Sequence, residues 1–102
     1  MNSGKSRLSN NLQMIKLKSH DNKEITGAQI RAARALVRWS AKDLAREAGL
    51  GVATISRAEV EEGHTTLTTA NLKAIQVALE NAGILFIPEN GGGVGVRFRD
   101  SK

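Results

Sequence analysis

The stretch Ser40–Glu59, SAKDLAREAGLGVATISRAE, constrains this chain more than any other. It reads as two short helices joined by a tight Gly49-Leu50-Gly51 turn, and three positions in it have physical reasons to be what they are. Ala45 is small where a second helix would have to cross the first. Gly49 stands where the first helix ends, and a left-handed backbone costs least without a Cβ. Ile55 is the apolar anchor that would pin the second helix to a core and leave its other face outward. A pair of rods held by one glycine corner leaves few packing arrangements open.

The flanking sequence extends this pattern. Thr26 and Gln29 stand in capping-box register, so the threonine oxygen and the glutamine amide can satisfy free backbone N–H groups. A helix is predicted from there to about Arg38, with Ile30, Ala33 and Val37 on one face and Arg31, Arg34 and Arg38 on another. Trp39 would close the core at the corner. Ser40 and Asp43 repeat the capping pattern for a second helix ending near Ala48, buried through Leu44, Ala45 and Ala48. A third helix is expected over about Val52–Val60, then a polar loop through Glu61, Glu62, Gly63 and His64. Thr68 or Thr69 caps a fourth, with Leu72, Ile75 and Leu79 inward and Gly83 just past its end.

Beyond Gly83 the period changes. Ile84–Ile87 is a continuous apolar run, Pro88 to Gly93 is turn chemistry, and Val94, Val96 and Phe98 alternate with Gly95, Arg97 and Arg99. The expected fold is therefore mainly α, four helices followed by a C-terminal β-hairpin. Three regions are expected: a flexible basic arm over 1–24, a helical domain over 25–83 and the hairpin over 84–102. The arm carries a weak apolar trace at Leu12, Met14, Ile15 and Leu17, compatible with a short strand.

Composition narrows the chemistry. The 102 residues suit one small domain, and three aromatics leave its core to alanine, leucine, isoleucine and valine. Fifteen Lys/Arg against ten Asp/Glu give a net charge of +5, which favours an anionic partner. Without cysteine there is no disulfide and no thiolate metal site. His20 and His64 have no acidic or nucleophilic partner at a convincing spacing, so neither catalysis nor a metal or cofactor is expected. The Gly91–Gly95 run lacks the Lys-Ser/Thr and the strand-loop-helix setting of a phosphate loop, and reads as a hairpin loop. The polar N-terminus and the absence of a long apolar run point to a cytoplasmic protein without a membrane span.

The span Ile25–Gly83 resembles the Xre/Cro-type helix-turn-helix regulators, which include the lambdoid-phage repressors. The likeness rests on IRAARALVRWSAKDLAREAGLGVATISRAE and on the TTLTTANLKAIQVALENAG helix. It implies a lambda-repressor-like DNA-binding domain whose third helix is the recognition helix. Gly51, Val52, Ala53, Thr54, Ser56 and Arg57 would then face double-stranded DNA, with Ser40 and Lys42 at the start of the second helix. The resemblance also implies a structural salt bridge between Arg34 and Glu59. Three departures shift the expected basis of binding. Ala41 stands where the family often has a phosphate-contacting glutamine. Val52 and Ala53 replace polar residues that commonly read bases, leaving Arg57 the one long side chain able to do so. Glu61 and Glu62 add negative charge just past the third helix.

Such proteins usually act as homodimers, because one recognition helix covers too few base pairs. The hairpin residues Ile84, Phe86, Val94, Val96 and Phe98 are the expected dimer interface; the alternative is that the hairpin folds back on its own domain. The leading functional reading is a sequence-specific regulator, a repressor on an inverted-repeat operator. The alternative is an antitoxin-type module that binds a toxin partner and autoregulates its operon. RNA binding would call for exposed aromatics, and the chain has hardly any.

Overall fold

The structure is a computed structural model that describes residues 24–101 apart from 62, 64 and 66. The basic arm expected over 1–24, with its strand around Leu12–Leu17, lies outside the described residues except for Glu24, as do Glu62 and His64 of the polar loop. Four helices and two strands follow in order: α1 (Gly27–Val37), α2 (Ala41–Ala48), α3 (Val52–Val60), α4 (Thr69–Asn81), β1 (Ile84–Ile87) and β2 (Gly95–Phe98).

Each helix begins and ends for a local reason. At α1, the Thr26 hydroxyl accepts the Gln29 N–H at 3.1 Å while the Gln29 side-chain oxygen accepts the Thr26 N–H at 2.9 Å. Ser40 and Asp43 form the same reciprocal box at α2, and Thr68, not Thr69, caps α4. Two C-termini close in the same way. The Leu50 N–H reaches back to the Ala45 carbonyl at 2.9 Å across Gly49, whose φ of 73° is the left-handed conformation that residue was expected to supply. The Trp39 N–H bonds the Arg34 carbonyl at 3.0 Å across a left-handed residue that is not glycine, Arg38 at φ 61°.

The core is largely the set that periodicity picks out. Ile30 and Ala33 from α1, Leu44 and Ala45 from α2, Ile55 and Ala58 from α3, and Leu72, Ile75, Ala78 and Leu79 from α4 are all buried, with Ile25 and Ile84 completing them. Ala48, expected on the buried side of α2, is half-buried at the rim as the last residue of its helix. Ala45 is buried in α2, which packs against both α3 and α4. Trp39 and Leu50, at the two corners, pack against the rim of this core.

The strands pair antiparallel, Ile84 opposite Phe98 and Phe86 opposite Val96. The hairpin folds back onto its own domain. Ile84, expected at a dimer interface, is only 1% exposed and belongs to the core of its own chain. Phe86, Val96 and Phe98 pack against that core from the same face of the ribbon. The reason is strand parity: once Ile84 follows α4 into the core, every second residue must follow it. Leu85, Ile87 and Arg97 are left on the opposite face, and Val94 is exposed at the loop.

Gln29 fastens the ribbon down. Its side-chain amide donates to the Ile87 carbonyl at 3.1 Å and to the Gly95 carbonyl at 2.8 Å, while its oxygen is occupied in the α1 cap. One buried glutamine thus joins a helix start to the loop end of the hairpin.

Candidate nucleic-acid interface

The nine residues of α3 divide cleanly by face. Ile55, Ala58 and Glu59 are buried; Val52, Ala53, Ser56, Arg57 and Val60 are exposed; Thr54 lies between. At 100° per residue, Ala53, Ser56, Arg57 and Val60 form one stripe pointing away from the core, with Val52 on its flank beside Ser56. Gly51 precedes the helix in an extended conformation and offers no side-chain cap. Its carbonyl accepts the N–H groups of Thr54 and Ile55. No hydrogen bond within the helix takes up the N–H groups of Val52 and Ala53, so the positive end of the helix dipole is presented outward.

What holds α3 in this attitude is α1. The Arg34 guanidinium makes two bonds to the Glu59 carboxylate, Nε to Oε2 at 2.8 Å and Nη2 to Oε1 at 2.9 Å. Its remaining nitrogen donates to the Trp39 carbonyl at 2.9 Å, so one side chain ties α1 to both α3 and the α1–α2 corner. The bond to Glu59 raises the Arg34 pKa above its ordinary, already high value, so its charge is fixed. One turn earlier, Arg31 donates to the Glu59 backbone carbonyl, one of the last-turn carbonyls that α3 itself cannot satisfy. Arg31, which the spacing alone put on one face with Arg34 and Arg38, is thus a clamp on the end of α3.

Sequence reasoning also missed Gly27. A Cβ there would lie 2.0 Å from the Glu61 carbonyl oxygen and 2.6 Å from that of Ala58. The start of α1 therefore runs against the backbone at the end of α3, and the Gly27 N–H donates to Gly63 at 2.9 Å.

The surface beside α3 comes from α2. Ser40 is exposed, its Oγ accepting the Asp43 N–H. Arg46 is drawn to Asp43 at 3.1 Å and to Glu47 at 3.9 Å. Lys42 and Arg57 are exposed and make no ion pair or hydrogen bond among the described residues. Two uncommitted cations thus accompany an outward helix whose acidic residue is turned inward and neutralised. Among the described residues no group of His, Asp or Glu could hold a metal ion, and no helix is long and apolar enough to cross a membrane.

A helix-turn-helix family model matches residues 30–80, half of the chain, covering α1 through nearly all of α4. The chain belongs to the Xre/lambda-repressor-type helix-turn-helix family. No curated protein matches it. As a member of that family it is a DNA-binding transcription regulator. The salt bridge that the resemblance implied for Xre-type proteins is present in this chain as the Arg34–Glu59 pair. Its departures from the family pattern are physical as well. Ala41 is the first residue of α2 and brings no polar group to that corner. Glu61 follows α3 in an extended conformation and is half-buried.

Proposed function

We propose that this regulator is a sequence-specific repressor that binds an inverted-repeat operator as a homodimer. In this reading α3 lies in the major groove of each half-site, which is about 12 Å wide and admits one helix. Gly51, Val52, Ala53, Thr54, Ser56 and Arg57 face the base edges, and Ser40 and Lys42 meet phosphate. The observation that carries the reading is the outward set of α3, with Glu59 pulled inward by Arg34 and Arg57 left without a partner among the described residues.

The division of labour follows from the chemistry present. Phosphate contacts fix register without reading sequence. A bidentate arginine-to-guanine contact discriminates by about 1–3 kcal/mol, and Arg57 is the one side chain of α3 long enough to make it. One such helix is too little for an operator, whereas two related by a two-fold axis read half-sites about 34 Å apart. The surface left for pairing is the outer face of the hairpin, Leu85 and Ile87 with the exposed Val94, because Ile84 is committed to the core.

Selection of bound duplexes from a random pool tests this. The expected result is an enriched inverted repeat, with Arg57→Ala relaxing the preference at one position per half-site. No enrichment would overturn the reading. If Arg57→Ala weakens every duplex equally, Arg57 contacts phosphate instead.

A further inference from the structure

The same face, taken with the reading above on which this rests, says what kind of base edge it fits. We propose that α3 recognises its operator chiefly through the 5-methyl groups of thymine, with Arg57 adding a single directional contact to a guanine.

The chemistry that α3 presents decides which base edges it can meet. Each base presents a distinct pattern in the major groove: cytosine a donor, adenine an acceptor and donor, guanine two acceptors, thymine an acceptor and a methyl group. The strong reader of cytosine is a carboxylate, and the one carboxylate of α3, Glu59, is held inside by two bonds to Arg34, which leaves only single hydroxyl contacts such as that of Ser56. Reading adenine in two-point fashion needs asparagine or glutamine, and α3, VATISRAEV, contains neither. What the helix does present is three aliphatic side chains, Val52, Ala53 and Val60, around Ser56 and Arg57.

Val60 is the telling residue. It is 71% exposed, the most exposed large hydrophobic among the described residues, and it stands in the middle of the outward stripe with Ala53. Packing among the described residues gives no reason for a valine there. Ala53 to Val60 spans about 10.5 Å at 1.5 Å per residue, long enough for the stripe to meet more than one base pair. A methyl-bearing edge at either end with a guanine between them matches the order aliphatic, arginine, aliphatic along the helix.

The test uses the duplex enriched from the random pool, resynthesised with deoxyuridine in place of thymidine, one position at a time and then throughout. Deoxyuridine keeps the pairing and removes only the methyl. Each methyl in contact is expected to be worth about fourfold in Kd, so two or three in each half-site give roughly 15- to 60-fold when one half-site is substituted and roughly 250- to 4,000-fold when both are. Val60→Ser, at so exposed a position, should leave the melting temperature unchanged and abolish the deoxyuridine penalty at one position of each half-site. An enriched duplex that binds equally well with deoxyuridine throughout would overturn the methyl readout and leave the regulator reading standing. A penalty untouched by Val60→Ser and by Val52→Ser would also overturn it, since the methyls would then be read elsewhere. A pool that enriches nothing would overturn the regulator reading itself.

Discussion

At Gly27 the identity of one residue is dictated by a neighbour far along the chain. Adding a methyl would drive it into two carbonyl oxygens of the α3 end, both backbone and neither able to rotate away. Gly27→Ala is expected to cost about 3 kcal/mol, the upper range for over-packing, measurable by urea denaturation; a cost below about 0.5 kcal/mol would show that the two segments do not touch. Nothing in the sequence around Thr26-Gly27-Ala28 signals this, because the partner is more than thirty positions away. Glu59 is the opposite case, since the resemblance named its partner. Glu59→Ala leaves Arg34 charged and half-enclosed, and breaking such a pair costs about 3 kcal/mol. For a domain of this size that is roughly 12–24 °C in Tm. An unchanged melting curve would mean that Arg34 finds water without loss.

Among the elements, helix boundaries were legible because caps are local. Thr26 with Gln29, Ser40 with Asp43 and Gly49 all announce themselves within three or four residues, and each does what its spacing implies. The second cap carries a pH dependence. Hydrogen bonds from the Ser40 backbone, then from Arg46 and the Ser40 side chain, hold the Asp43 carboxyl below the ordinary aspartate range. A depressed carboxylate stabilises the fold above its unfolded pKa and loses that contribution as pH falls through the lowered value. The thermal stability difference between the parent chain and Asp43→Asn should therefore be full at neutral pH and shrink below about pH 4. A difference constant down to pH 2 would contradict the cap. The hairpin was legible as an element but not in its facing. Alternation picks out Ile84, Phe86, Val96 and Phe98 as one face, and only the docking of Ile84 behind α4 decides that this face turns inward. Gln29 shows the same limit, as its amide serves carbonyls more than fifty residues away.

For the molecule as a whole, the helical domain and its family were readable because they rest on repeated short-range patterns, while assembly rests on a surface that exists only after folding. In the proposed dimer, pairing would fall on the outer face of the hairpin. Leu85→Lys combined with Ile87→Lys should convert a dimer to a monomer in sedimentation velocity at micromolar concentration, without loss of helical signal. A double variant that sediments as the parent does would put the interface elsewhere. Salt gives a further view of the complex, since a surface anchored by Lys42 and other phosphate contacts should lose affinity steadily as salt rises. The central claim is that the outward side of α3 is the surface that meets base edges. Amide chemical shifts recorded with and without the enriched duplex test it most directly. The largest changes are expected at Gly51, Val52, Ala53, Thr54, Ser56, Arg57 and Val60, with Ile55 and the core of α4 little moved. Changes concentrated on the hairpin, with α3 silent, would contradict it.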